Sequence, residues 1–408
     1  MPETAPKRAF RTVRKRRVFY IPGYDPIPPR RYRELYRKEA AAQALISGYE
    51  IALRPKQRQG NFGWSVTAKI EGVATESDVE VLVWSDIVRD SMDVGILATY
   101  QQLVRTAWCY IQSGALWRLM RLRKGPVIAA LYPVLFLLVQ LILSLFAAYG
   151  MGWLIALVLP WWVGLAALAV VPMLLGWFKK QDSKFFAYYL MHDYAYSAST
   201  RGANPPELDA RLQEFTEAIS KALRSDVDEV LVVGHSSGAH LAVSVLAELI
   251  RSGKTSPKGP QLSFLSLGQV VPMVSFLPEA HRLRADLRYL CQREELDWVD
   301  VTAPGDGCAF ALCDPVSVSG VAPNQGKLWP LVLSAAFTQT LSPERWQELR
   351  WRFFRLHFQY LCAFDRPGAY DYFQITAGPR TLGARFEGRA PSASRIETPV
   401  NKFTSVSP

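Results

Sequence analysis

Between Gly125 and Phe178 the chain lacks any Asp, Glu, Lys or Arg, over 54 residues in succession. Gln140 is the one strongly polar side chain in that run. A soluble helix needs a polar face, so the run argues against a core hairpin of a soluble protein. Cysteine is scarce. There are five, an odd number, and no two have a paired spacing. Cys308 and Cys313 stand too isolated for a zinc site, which would need two such pairs or added histidine. The five read as reduced, buried thiols of a cytosolic compartment. Histidine is scarce too, with five residues, so imidazole chemistry has few places to reside. The basic start leads into "VFYIPGYDP" without an apolar h-region or a small-residue cleavage site, so no signal peptide is expected there. There is no internal repeat.

What is present is unevenly spread. The net charge of +11 sits mostly at one end. Residues 1–38 hold twelve Lys or Arg against three acids, which is +9 of the total. A basic block suits nucleic acid or an anionic membrane surface. No recognisable nucleic-acid module accompanies it, so the membrane is the favoured partner and nucleic acid is not expected.

The uncharged run is long enough for two crossings, since one needs about 20 apolar residues. The spans are predicted at about 127–148 and 152–177, with a turn at Gly150-Met151-Gly152. Trp153, Trp161, Trp162 and Trp177 suit interfacial positions. Arg118, Arg121, Arg123 and Lys124 precede the run, and Lys179, Lys180 and Lys184 follow it. Both ends are therefore expected on the cytoplasmic side of a bacterial-type inner membrane, with both termini. No charge lies within the spans, so an ion or proton pathway has no support.

The flanking parts alternate strand and helix patterns, which predicts one interrupted α/β domain with a parallel sheet. Strand-like stretches are "RVFYIP" (17–22), "FGWSVTAKIEG" (62–72), "VEVLVWSD" (79–86), "EVLVVG" (229–234), "LSFLSLG" (262–268) and "LDWVDVTAP" (296–304). Helical stretches are 30–53, 204–225, the segment after Ser236, and 279–295. The expected organisation is a basic segment 1–16, a first domain part 17–90, an insertion 91–200, a second domain part 201–377, and a polar tail 378–408 expected to be disordered.

The stretch "VLVVGHSSGAHLAVSVLAELI" (230–250) places Gly234-His235-Ser236-Ser237-Gly238 between a buried strand and a helix. A Gly-x-Ser-x-Gly string is weak alone, but this context suits a nucleophile elbow. The glycines permit close helix–strand packing, and the helix N-terminus favours developing negative charge. This elbow and the order of elements resemble the α/β-hydrolase family. The resemblance spans about 17–90 and 200–365 and is most specific over 228–250. It implies a mostly parallel sheet flanked by helices, here interrupted by a two-helix transmembrane hairpin. It also implies a Ser-His-Asp triad in which the acid follows the nucleophile by about two strands and the histidine comes last. Ser236 is then the nucleophile. Chain order leaves His357 as the base. Asp306, in Gly305-Asp306-Gly307, is the favoured acid, with Asp314 in Cys-Asp-Pro as the alternative. The oxyanion hole would use the backbone N–H of Ser237 and that of Tyr24 or Gly23. Pro22-Gly23-Tyr24-Asp25 departs from the His-Gly pair common at that place in the family. The chemistry calls for no cofactor and no metal.

The expected function is a membrane-anchored serine hydrolase acting on a carboxylic ester, with a lipid or membrane-carried acyl substrate. Acyl transfer would use the same residues. A non-catalytic membrane scaffold would not need Ser236, His357 and an acid to converge. "FFAYYLMHDYAYSAS" (185–199) returns from the membrane and is densely aromatic. It suits interfacial anchoring and packing, or the lining of an acyl channel with His192 and Asp193 near its mouth.

Overall fold

The computed structural model describes residues 12–56 and 60–407. The first eleven residues of the basic block lie outside the described residues. Eight strands form one sheet among those described. They are β1 (Lys15–Ile21), β2 (Glu50–Pro55), β3 (Gly63–Ile70), β4 (Val73–Val81), β5 (Glu229–His235), β6 (Gln261–Leu267), β7 (Leu296–Thr302) and β8 (Leu331–Ser334). Their order is β2-β3-β4-β1-β5-β6-β7-β8.

The sheet is mixed, which corrects the expectation of a mostly parallel one. From β4 to β8 neighbouring strands run parallel, but β2, β3 and β4 form an antiparallel meander at one edge. The meander has a local cause. Only Glu71 and Gly72 join β3 to β4, and both have positive φ, 53° and 78°. Two such residues make the tight turn that suits a hairpin and cannot support a parallel crossover. The predicted helix 30–53 is also shorter. Helix α1 (Arg30–Ser47) ends where Gly48 turns left-handed, and the remaining residues become β2.

Period-2 alternation divides the strands' side chains between two cores. Phe19, Ile21, Val230, Val232, Phe264 and Trp298 join one core, with residues of the helices Pro206–Leu223 and Gly238–Arg251. Val18, Tyr20, Leu231, Val233, Leu265 and Val301 join the other, with residues of α1 and the C-terminal segments. The central strand β5 is buried throughout.

The insertion is entirely helical in its regular elements. Two of its helices are long and apolar enough to cross a membrane: α2 (Lys124–Ala156) and α3 (Trp161–Lys180). The first three turns of α3 are 3-10 in character, over Trp161–Ala169. The predicted turn at Gly150–Gly152 is replaced by continuous helix, and the break falls at Leu157–Pro160 instead. Glycine costs a helix only about 1 kcal/mol, whereas a break in an apolar setting strands backbone groups. The break falls just before Pro160, at the start of α3, whereas Pro133 is accommodated inside α2. Gly152 meets Gly164 of α3 at the crossing of the two helices. At about 1.5 Å per residue, α2 is longer than the ~30 Å apolar layer of a bilayer. Its first turns lie on the α/β body, with Val127 buried and Gly125 against Gly307.

The tail expected to be disordered follows a defined path. Ile396 forms a parallel bridge with Cys313, and the Asn401 amide donates to the carbonyls of Ser275 and Ser319. Composition hides this because few residues do the anchoring. Leu382, Phe386 and Val400 are buried.

Candidate active site

Strand β5 ends at His235, and the helix here designated α6 begins at Gly238 and runs to Arg251. The helices before it are α4 (Ala187–Ser199) and α5 (Pro206–Leu223). Ser236 occupies the reversal between β5 and α6, with φ at 57°. A non-glycine residue there carries about 1–3 kcal/mol of strain and persists only where its surroundings fix it. Here they do. The Ser236 N–H donates to the Leu267 carbonyl at 2.9 Å, and its own carbonyl accepts from the Ala239 N–H at 3.1 Å. A Cβ on Gly238 would lie 2.1 Å from the Ile21 carbonyl oxygen, so only glycine lets α6 start this close to β1. A Cβ on Gly23 would lie 2.9 Å from Ser236 Cβ. The loop after β1 therefore rests directly against the serine.

Gly23, Tyr24 and Ser237 are thus gathered around Ser236. Among the described residues, no hydrogen bond takes up the backbone N–H of any of the three. Ser237 also precedes the first turn of a 14-residue helix, where unpaired N–H groups favour an anion.

The acid and the imidazole arrive from other elements. Asp306 follows β7, and His357 ends the short helix Phe353–His357. His357 Nδ1–H donates to Asp306 Oδ2 at 2.7 Å. That bond fixes the tautomer and leaves Nε2 as the nitrogen able to take a proton. Tyr360 Oη donates to the same carboxylate oxygen at 3.0 Å, and the Cys308 N–H donates to the other at 2.9 Å. Burial alone would raise the Asp306 pKa. The charge of His357 and these three hydrogen bonds outweigh it and hold the pKa below the ordinary value. The imidazole lies over Gly268, where a Cβ would meet His357 Cε1 at 3.1 Å. Gly268 directly follows Leu267, the acceptor of the Ser236 N–H. Ser236, Asp306 and His357 are therefore collected at the carboxyl ends of β5, β6 and β7. No hydrogen bond joins Ser236 Oγ to His357 among the described residues; such contacts often tighten only with substrate bound.

Asp314 does not take part. Its carboxylate caps the helix Pro315–Val318 by accepting from the N–H groups of Val316 and Ser317, and it pairs with Lys327. The alternative acid is thereby corrected to a structural cap.

Two residues outside the predicted set hold the arrangement. His235 Nε2–H donates to the His357 carbonyl at 3.0 Å, and the two rings lie 4.8 Å apart. Burial, then the neighbouring His357, lower the His235 pKa to about 3, so this ring is neutral. Tyr360, besides holding Asp306, accepts from the Ala303 N–H at 2.9 Å. The Tyr360 signal was the i+3 spacing from His357, which puts both on one side of a helical turn. His235 gave no such signal, since its partner is 122 residues away.

Asp306, Cys308 and His357 each bring one donor atom within 4.8 Å of the others. This set could hold a soft divalent ion. Burial, and then the Asp306 and Asp193 carboxylates, push the Cys308 thiol well above its ordinary pKa. That disfavours the thiolate a metal requires.

Residues flanking both ends of the insertion meet at a cavity beside Ser237, the neighbour of Ser236. Trp84, Asp193, Tyr196 and Asn204 line one cavity together with Tyr24 and Ser237. Arg211 of α5 pairs with Asp86, and the Trp84 and Tyr196 rings lie 6.2 Å apart. No family model, curated protein or solved structure matches the chain.

Proposed function

We propose that the protein is a membrane-anchored serine hydrolase of the α/β-hydrolase type, acting on carboxylic esters of a lipid or membrane-carried acyl compound. The observation that carries this reading is the 2.7 Å Asp306–His357 pair at the sheet edge where strained Ser236 is displayed. In the proposed reaction Ser236 Oγ bonds to the ester carbonyl carbon as its proton passes to His357 Nε2. The tetrahedral oxyanion is held by the N–H groups of Ser237 and of Tyr24 or Gly23. Collapse breaks the bond to the alcohol, which leaves with the proton from Nε2. Water then attacks the acyl-enzyme, gives a proton to Nε2, and releases the acid as Oγ is reprotonated. Asp306 keeps the imidazole in the required tautomer and stabilises the imidazolium.

The membrane part of the proposal rests on α2 and α3. Their large apolar side chains, among them Leu135, Phe146 and Trp161, are exposed in the isolated chain. So wide an apolar surface calls for lipid or a partner. The cavity beside Ser237 is lined from both flanks of the insertion, and the proposed catalytic face looks toward the inner leaflet.

The test is covalent labelling of the full chain in membranes with a fluorophosphonate probe. Wild type is expected to label, and Ser236→Ala to lose the label. Equal labelling of the two would remove Ser236 as the nucleophile.

A further inference from the structure

The carboxylate of Asp193, on the helix returning from the membrane, has no part in the chemistry proposed above. It lines the cavity shared by Tyr24, Trp84, Tyr196, Ser237 and His240. Among the described residues it makes no hydrogen bond and no ion pair. Burial pushes its pKa up to about 7, against an opposing pull from His357. The side chain is half-buried, and a carboxylate partly withdrawn from water favours a cationic or hydrogen-bonding partner. The walls around it are aromatic. Tyr24 packs on Trp84 at 6.0 Å and on Tyr196 at 5.7 Å between ring centroids. Two further buried polar atoms of the lining, Tyr196 Oη and His240 Nδ1, have no hydrogen-bond partner. His240 itself is 9% exposed, and burial lowers its pKa to about 4, so it is neutral and offers an acceptor.

We propose that this cavity is a subsite for a primary ammonium group carried by the substrate, held by the Asp193 carboxylate against the aromatic walls of Tyr24, Trp84 and Tyr196. This deepens the hydrolase reading and rests on it for the word substrate. An ammonium satisfies each feature. It pairs the carboxylate, donates to unpartnered acceptors, and is attracted to ring faces. Size narrows the class. The cavity volume is about 20 Å³, room for roughly one water-sized group. An –NH3+ head fits that space, and a trimethylammonium head does not. The ammonium could belong to a lipid headgroup of the ethanolamine kind or to a free amine compound.

The experiment uses the full chain in detergent micelles and follows how added n-butylammonium, tetramethylammonium or n-butanol slows fluorophosphonate labelling of Ser236. The expected result is protection by n-butylammonium at concentrations at least tenfold below those of the other two. Asp193→Asn, which keeps the side-chain shape, is expected to erase that preference. Equal protection by all three compounds, or a preference that survives Asp193→Asn, would overturn the subsite. The wild-type comparison stands alone should the variant fail to fold. If Ser236 never labels, the hydrolase reading fails separately, and calorimetric titration with n-butylammonium still decides whether the cavity binds an ammonium. A last arm adds vesicles with ethanolamine or choline headgroups. Protection by the ethanolamine vesicles identifies a lipid source, and protection by the soluble amine alone identifies a free one.

Discussion

Two aspartates that look alike in sequence part company at the level of single residues. Asp306 spends its oxygens on His357, Tyr360 and the Cys308 N–H, whereas Asp314 spends its oxygens on a helix start and Lys327. Asp306→Asn is therefore expected to lower the hydrolysis rate by about 10⁴-fold, the cost of a wrong tautomer. Asp314→Ala is expected to leave fluorophosphonate labelling in place while lowering unfolding stability by about 1–2 kcal/mol through the lost cap. Denaturant titration and labelling of both variants check the pair. A third aspartate makes a pH prediction. Asp300 is fully buried in β7, accepts from Ser266 Oγ, and is raised by burial to a pKa of about 8. Between its ordinary value near 4 and about 8, the folded chain holds a proton that the unfolded chain releases. Stability must then fall as pH rises through that window, by up to ~1.4 kcal/mol per unit from this group. Asp300→Asn is expected to flatten that slope in denaturant titrations at pH 5 and pH 8.

At the scale of elements, the β5–α6 turn is the tightest junction. Its geometry depends on α6 approaching β1 over a residue without a side chain. Gly238→Ala would place a methyl 2.1 Å from a carbonyl oxygen of β1. Overpacking of this kind costs about 1–3 kcal/mol, and here it would also move Ser236. The expected outcome is a folded but less stable protein whose labelling slows more than its melting temperature falls. The same junction was legible in sequence, because a buried strand, two glycines and an apolar helix all point one way. The β2–β3–β4 meander was less legible. One stretch, "KIEGVA", carries a hairpin turn, but nothing local says which neighbouring strand lies beyond it. The membrane hairpin was legible as two helices and misjudged at its turn, because Gly150 and Gly152 look like a break until their surroundings are apolar.

The whole molecule joins an α/β body to an apolar hairpin through the walls of one cavity. If α2 and α3 cross a bilayer, the Leu157–Pro160 turn emerges on the side opposite Ser236. A cysteine at Val158, which is highly exposed, is then expected to react with a membrane-impermeant maleimide only from that opposite side. Labelling of sealed vesicles of known orientation checks this. Reaction from the Ser236 side would place the hairpin along the body instead of across the membrane.

The sequence by itself determined which segments are strands or helices at the centre of the sheet, the apolar hairpin, and the serine turn. All of these depend on contacts within about 20 residues, where periodicity and turn chemistry act. The candidates His357 and Asp306 came from the chain order that the α/β-hydrolase resemblance implies. Tertiary structure alone put the His357 imidazole on Asp306 instead of Asp314, recruited His235 and Tyr360, gave the tail a defined path, and brought Asp193 and the flanks of the insertion to the cavity beside Ser237. Those outcomes are pairings between distant segments. A carboxylate near a helix start and one near an imidazole carry the same letter, and only the partner that burial supplies tells them apart.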